Sequence, residues 1–460
     1  MKYIIFSFEG EGFPIAEKLL EENQEVIFGQ VRNFSRTLLP IEKKAGSHEP
    51  AEEKAIRLKR YKNIIPVQSA DALLEKLKKI KNPEDYFIFF DTNYLFYYAE
   101  QLQDLGFKGN FPTKEDRRLE IERIKAKEFV KKYYPLLSDS QIKTIHNISE
   151  AKEFLSTSDF IWVLKSQSDD IVTFVPQTND VTLAKKQVLE KMETFYREYG
   201  EIEFLLEKRI DNVIEVTPEK FYYDGIPLCM TINLENKFFG SGNIGEQVGC
   251  AGDLVFPVSM KSKIHDICFP PIVDELAKKH KGLFIWDASL LIDPLTDKIY
   301  FGEFCSNRPG YNSIFTEIAQ AKSVHSFFED IVHLKNPLPL GTFGASLMVF
   351  NINRDKEDQL KNDIEIVVTD ESKPHSWPYD VYKKTPAGYL LVTGYDKHLT
   401  PITGTGPTIL DAVNNLYRHV EGFQFSGAYY RPKFDFLSKD YSSSIMNRLD
   451  YCLEKKLFIL

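Results

Sequence analysis

The sequence predicts a multidomain α/β protein that opens with a doubly wound parallel sheet and closes with a β-rich region. Three observations carry this expectation. Residues 1–112 alternate short apolar strands with amphipathic helices, the pattern of βαβ units in a parallel sheet. Residues 113–335 interleave charged helical stretches with longer apolar strands. Beyond residue 336, short β-rich segments dominate, with one helix among them.

Taken in order, "YIIFSF" reads as a buried strand, "EGEGFP" as a turn, "IAEKLLEENQ" as an amphipathic helix and "EVIFGQV" as a second strand. "ADALLEKLKKI" and "DYFIFFD" add a further helix and strand. "PTKEDRRLEIERIKAKEFVKKYY" is charged and helical in period, and leads to the strand-like runs "FIWVLKS" and "DIVTFVP". The helix "VTLAKKQVLEKMETFYREYG" precedes the strands "EFLLEKRI", "VIEVTPEKFYYDG" and "IPLCMTINLE". "GSGNIGEQVGCAGD" reads as a Gly-rich loop before "LVFPVS". The helix "PIVDELAKKHKG" then leads into "LFIWDASLLID" and "KIYFGEF", two strands joined by "PLTD". The β-rich region holds "GASLMVFNI", "IEIVVTD" and "GYLLVTGYD", then the helix "TILDAVNNLYRHVEGF". Domains are expected at 1–112, 113–335 (with a lid at about 137–208) and 336–435, followed by an extension at 436–460.

The 460-residue chain is 43% hydrophobic and 27% charged, as globular proteins are, and is too long for one compact domain. A net charge of -9 argues against broad nucleic-acid binding, which needs a basic field. Five cysteines, scattered and free of C-x-x-C spacing, suit reduced thiols in a cytoplasm better than disulfides or zinc. The apolar run at the N-terminus is too short for a signal peptide, and no run has the length of a membrane span. The expected protein is soluble and cytoplasmic, a monomer or homodimer acting on small molecules.

Several residues could carry chemistry. Gly10 and Gly12 in "EGEGFP" either make a tight turn only or bring Glu11 to a ribose or amine. Lys165 ends the strand "FIWVLK", as a solvated strand end or as an ammonium aimed at a cleft. Glu207 and Glu215 flank a short break between strands, as surface charge or as a clasp on a nucleoside. The hairpin "DASLLIDPLTDKIYFGEFCSN" presents Asp293 at one end and Glu303 with Asn307 at the other. Hard oxygens of this kind suit Mg²⁺, which takes one or two carboxylates plus substrate phosphates; a Glu303–Arg308 salt bridge is the alternative.

In this order the segments resemble the ATP-grasp ligases, specifically the phosphoribosylamine–glycine ligase (glycinamide ribonucleotide synthetase) family, over nearly the whole chain. "NFPTKEDRRLEIERIKAKEFVKKYYP" is similar to the family's helix leading into the ATP domain, "WVLKS" to its V-V-K strand and "LLEKRI" to its I-E-E-F-L hinge. "GCAGDLVFP" resembles G-G-M-G-A-Y-S-P, and "SLLIDPLTDKIYFGEF" resembles G-L-M-I-D…V-I-E-F-N. "TPITGTGPTILDAVNNLYRHVEGFQFSGAYYRP" resembles the closing domain. The resemblance implies an ATP-grasp fold with a Rossmann-like N-terminal (pre-ATP-grasp) domain and a C-terminal β-rich domain. It implies a carboxylate activated by ATP as an acyl phosphate, an amine attacking it, and ATP with Mg²⁺ or Mn²⁺ as cofactors. By position, Arg123, Lys165, Glu207, Lys208, Ile210 and Glu215 would bind ATP. Glu303 and Asn307 would hold the metal, with Arg308 beside them at the reacting carboxylate; Gly10, Glu11, Gly252 and Asp293 would face substrate.

The chain also departs from the family. Arg123 replaces the lysine of L-E-G-S-K, "SQSDDIVTFVP" with Asp169 and Asp170 replaces the Gly-rich flap, and "EGEGFPI" replaces G-G-G-R-E-H. "NRPGYNS" lacks the aspartate of R-F-G-D-P-E. Asn307 lies four residues after Glu303 instead of two, so either an insertion or bulge brings it to the metal, or Asn307 contacts substrate and Mg²⁺ relies on Glu303, water and phosphate oxygens. The losses cluster where the family receives phosphoribosylamine. They leave three readings: the purine-pathway reaction, a specialised ligase joining an amino acid to another amine (a modified nucleotide among them), or a degenerate ATP-binding module. An acceptor that is less phosphorylated suits the substitutions, and a cationic one would face Glu9 or Glu11.

Overall fold

The computed structural model describes residues 1–8, 10–31, 67–166, 173–200, 202–310, 312–356, 358–378, 380–384, 389–392, 394, 397–440 and 444–460. Glu9, Asp169 and Asp170 lie outside the described residues.

The N-terminal sheet is fully parallel, in the order Val67–Ser69, Val26–Gln30, Lys2–Ser7, Tyr86–Phe90, Lys108–Gly109. Its central strand is apolar from Tyr3 to Phe6 because both faces are covered. Tyr3 and Ile5 pack with Phe13, Phe28 and Phe328 on one side. Ile4 and Phe6 pack with Leu73, Leu74 and Phe90 on the other. The helix Phe13–Glu21 follows the first strand, as the strand–turn–helix pattern predicts.

The charged helical stretch is two helices, Lys114–Ile121 and Arg123–Tyr133, parted at Glu122. Thr113 and Asp116 start the first as a reciprocal capping box. A small antiparallel sheet follows, ordered Ile142–Ile145, Phe204–Lys208, Trp162–Ser166. Helices Ile148–Thr157 and Val181–Tyr199 back it through Leu155, Val188, Met192 and Trp162.

The centre of the molecule is an antiparallel sheet ordered Ile299–Ser306, Leu283–Ile292, Ile214–Tyr223, Ile226–Gly240, Ile244–Val258, Phe343–Asn351, His398–Gly406. Ala428–Tyr429 also pairs with Phe343–Asn351. The sheet therefore runs across position 335, where the sequence pattern changes. A four-stranded sheet (Val381–Lys384, Tyr389–Val392, Glu365–Val368, Phe423–Gln424) completes the C-terminal part.

One expectation is corrected. "GSGNIGEQVGCAGD" is not a loop: Ser241–Asn243 makes a short turn and Ile244–Val258 is a strand. Its register to the preceding strand shifts between Asn236 and Gly240, with Gly245 and Gly249 at φ 91° and 77°. The glycines allow an irregular ribbon to bulge without losing its pairing. No helix among the described residues is long and apolar enough to cross a membrane.

Candidate active site

One face of the central sheet gathers the charged residues. Strand pairing sets Glu303 opposite Ser289 and Asp287 opposite Cys305, so these side chains share that face. Glu303 Oε2 accepts from Arg123 Nη1 at 2.8 Å, and Lys237 Nζ lies 3.4 Å from Oε1. Lys237 also donates to Glu215 Oε1 at 2.7 Å and lies 3.7 Å from Glu235. Ser289 Oγ donates to the same Glu215 oxygen at 2.7 Å. A second group adjoins this one. Glu207 is clasped by Lys127 at 2.6 Å and Lys165 at 2.7 Å, and both lysines lie 3.5 Å from carbonyls of the Glu303 strand, Phe301 O and Gly302 O.

Burial alone would raise these carboxyls, yet the cations outweigh it. Lys165 and Lys127 bring Glu207 down to about 2. Lys237, Arg123 and Lys165 hold Glu303 well below the usual carboxylate range. Burial lowers Lys127 to about 8 despite Glu207. Both carboxylates are therefore ionised at neutral pH, and the cations around them are held close in a poorly solvated place.

Arg308 forks onto Glu120 with two contacts of 3.0 Å, and its Nη2 lies 3.3 Å from Cys305 Sγ. Neither carboxylate oxygen of Glu303 meets Arg308 among the described contacts; the arginine partner of Glu303 is Arg123. Asn307 has φ 50° and turns away from the charged face. Its Nδ2 donates to Phe111 O at 3.0 Å and Asp116 at 3.2 Å, while its Oδ1 is buried without a partner.

No family model and no curated protein sequence matches the chain. Solved structures do. Phosphoribosylamine–glycine ligase from Thermotoga maritima is 16% identical, with a TM-score of 0.63, over 94% of this chain and 99% of its own. Biotin carboxylase from Campylobacter jejuni is 12% identical, TM-score 0.59, over 99% and 97%. The biotin carboxylase domain of Hydrogenobacter thermophilus 2-oxoglutarate carboxylase, solved with MgADP and bicarbonate, is 13% identical, TM-score 0.57, over 93% and 91%. The chain has an ATP-grasp fold.

Within the ATP-grasp fold the charge network can be tested against a nucleotide. Arg123 and Lys237 gather on Glu303, and Lys127 and Lys165 on the adjoining Glu207, a donor set that fits a polyphosphate. For a divalent cation the fit is narrower. No group of three His, Cys, Asp or Glu among the described residues is arranged to hold a metal. Ionised Glu303 fits the sparse mode in which one or two carboxylates and phosphate oxygens share Mg²⁺.

The remaining predicted residues sit in different places. Glu207 and Lys208 end the middle strand of the small sheet and Ile210 follows in the link to the central one, with the Lys208 ammonium 3.6 Å above the Phe160 ring. Asp293 ties the hairpin turn, accepting from Leu295 N at 2.9 Å and Thr296 Oγ1 at 2.7 Å, at the far end from Cys305. A Cβ at Gly252 would stand 2.8 Å from Phe436, so that glycine answers to packing. Gly10 has φ 97°, and its N–H donates to Ser7 Oγ at 2.8 Å. In the same turn Asp91 accepts from Gly12 N at 2.9 Å and Phe8 N at 3.2 Å. Glu11 is partly exposed there.

Sequence reasoning missed Lys127, Glu235, Lys237 and Asp91. A signal existed for the first, since Arg123 and Lys127 stand one helical turn apart. Alternation in "NLENK" puts Glu235 and Lys237 on one face, though nothing in the sequence says which face gathers the other charges.

Proposed function

We propose that this chain is an ATP-dependent carboxylate–amine ligase: ATP phosphorylates an amino-acid carboxylate to an acyl phosphate, and an amine displaces the phosphate to leave an amide. The observation that carries this reading is the gathering of Arg123, Lys127, Lys165 and Lys237 on Glu207, Glu215 and Glu303 in one charge network of an ATP-grasp fold. Phosphoryl transfer of this type asks the protein mainly for position and fixed charge.

In this reading the four cations hold the phosphate chain, and Glu215 with Glu207 borders the nucleoside. Glu303 stands for the metal, without Asn307, whose side chain is tied to Phe111 O and Asp116, and Arg308 stands for the carboxylate under attack. MgATP supplies the transferable phosphoryl group. Each turnover consumes ATP, a carboxylate and an amine, and yields ADP, phosphate, an amide and a proton. The division into segments 1–112, 113–335 with a lid at about 137–208, 336–435 and 436–460 belongs to the same proposal.

We favour an amine other than phosphoribosylamine. The N–H groups of the first strand–helix turn, which a phosphorylated sugar could use, already serve Asp91. The experiment is ADP release from MgATP with glycine plus phosphoribosylamine, and with a panel of amino acids and amines. The reading expects release that needs both an amino acid and an amine, from the panel and not from the purine pair. Release that needs neither, or none with any pair, would overturn it.

A further inference from the structure

The turn that ends in Arg308 is held from behind by a buried ion pair that the ligase reading leaves unused. Asp116, 4% exposed, sits at its centre. Its Oδ1 accepts from Ser306 Oγ at 2.9 Å and its Oδ2 from Asn307 Nδ2 at 3.2 Å, on the two residues before Arg308. Oδ2 also accepts from Thr113 N and Thr113 Oγ1, both at 2.8 Å, in the capping box of the helix Lys114–Ile121. That helix carries Glu120, which receives the Arg308 guanidinium. One carboxylate thus ties Ser306 and Asn307 to the helix that holds Arg308.

A further donor arrives from another part of the chain. His280 Nε2 lies 2.9 Å from Asp116 Oδ2, and His280 Nδ1 lies 2.9 Å from Leu276 O. Neither partner has a proton to give. Leu276 O is a carbonyl, and Asp116 Oδ2 already faces Thr113 N and Asn307 Nδ2, which only donate. Neutral imidazole carries one N–H, so two acceptors require the imidazolium. Asp116 faces the ring from its helix, Lys279 lies beside it on its own segment, and uncharged Phe284 stacks on it with centroids 4.3 Å apart. Burial and Lys279 oppose the charge, yet Asp116 and Leu276 O raise His280 above its ordinary range.

We propose that His280 is a positioning residue: as an imidazolium it fixes Asp116, and through Asp116 the turn and the helix that aim Arg308. The proposal rests on the ligase reading, in which Arg308 meets the carboxylate under attack. Loss of the His280 proton would set a nitrogen lone pair against a buried carboxylate and loosen both attachments. Because His280 is raised in the folded chain, its contribution is full below about pH 6.5 and is lost as pH rises through the raised value.

The test compares the full chain with H280Q, which keeps an N–H donor toward Asp116 and removes the charge. NMR of the chain labelled with heavy nitrogen in its histidines should show, at neutral pH, an imidazole with both nitrogens protonated that is absent from H280Q. Asn307 N donates to Ile285 O at 2.7 Å, so hydrogen exchange reports on the turn. Exchange over residues 304–307 should be faster in H280Q, with Phe204–Lys208 unchanged. In the unmutated chain, protection of 304–307, corrected for intrinsic exchange, should fall as His280 loses its proton, and in H280Q it should not respond. With the pair that releases ADP, H280Q should lower kcat roughly ten- to hundredfold, the scale of a small misplacement, and leave the KM for ATP unchanged. A neutral His280 at neutral pH, or unchanged exchange in folded H280Q, would overturn the proposal. So would a KM for ATP that worsens as much as kcat, the mark of general loosening. Should H280Q fail to fold by circular dichroism, the unmutated chain decides: the ring titration and the loss of protection must coincide, and separate midpoints overturn the proposal. ADP release that needs a pair, together with unchanged exchange, removes the positioning role and leaves the ligase. A turn that answers to His280 in a chain that releases no ADP removes the ligase and leaves the anchor of the turn.

Discussion

Glu303 lies between Arg123 and Lys237, and its ionisation depends on both. Glu303→Gln keeps the shape and removes the charge. ADP release should fall by roughly 100-fold or more, the scale seen when one transition-state electrostatic contact is lost, with the circular dichroism spectrum unchanged. Lys127→Met should raise the KM for ATP about tenfold, measured by ADP release at varied ATP, while Lys165 still neutralises Glu207. The strand end carrying Glu303 was legible because a carboxylate after an apolar strand is a local pattern. Lys237 was not, because its meeting with Glu215 and Glu303 depends on a register that links three separated strands. The position of Asn307 was equally hidden: its left-handed backbone and its bond to Asp116 are set by a helix far away in sequence.

The C-terminal helix Ile445–Glu454 shows what an element contributes to the site from behind. Arg448, 3% exposed, donates to Glu215 O at 3.1 Å and Glu235 O at 2.7 Å, holding the backbone of two strands that carry site carboxylates. Arg448→Met should cost about 2–4 kcal/mol by urea denaturation, through two buried carbonyls left without their donor. Most helices and strands could be read from apolar period, as in Phe13–Glu21 and Leu283–Ile292. The ribbon through Gly245 and Gly249 could not, because glycine marks loops and bulged strands alike. Its pairing partner alone decides between them.

Across the whole molecule, buried acids leave a pH signature. Burial raises Glu219 and Glu235 to about 7 and Asp253 to about 6. The folded chain thus keeps protons that the unfolded chain releases near the ordinary carboxyl range. The stability these acids contribute is full at low pH and is lost as pH rises through about 6 to 7. Glu207, lowered to about 2, acts the other way and loses its contribution only as pH falls toward that value. His375, lowered to about 4 by burial and by the charge of the adjacent His419, loses its contribution as pH falls from about 6.5 toward 4. Between pH 8 and 6.5 the raised acids outnumber Lys127, which is lowered to about 8 and opposes them, so the melting temperature should increase on going to pH 6.5. Glu235→Gln should reduce that increase.

The central claim is that a carboxylate is activated by the γ-phosphoryl group before the amine attacks. A mixture of amino acids carrying heavy oxygen in their carboxyl groups, incubated with the full chain, MgATP and primary amines, tests it most directly. Mass spectrometry of the released phosphate should find one labelled oxygen transferred from carboxylate to phosphate in each turnover. Phosphate that carries only solvent oxygen, with ADP still formed, would mean plain hydrolysis and would contradict the account.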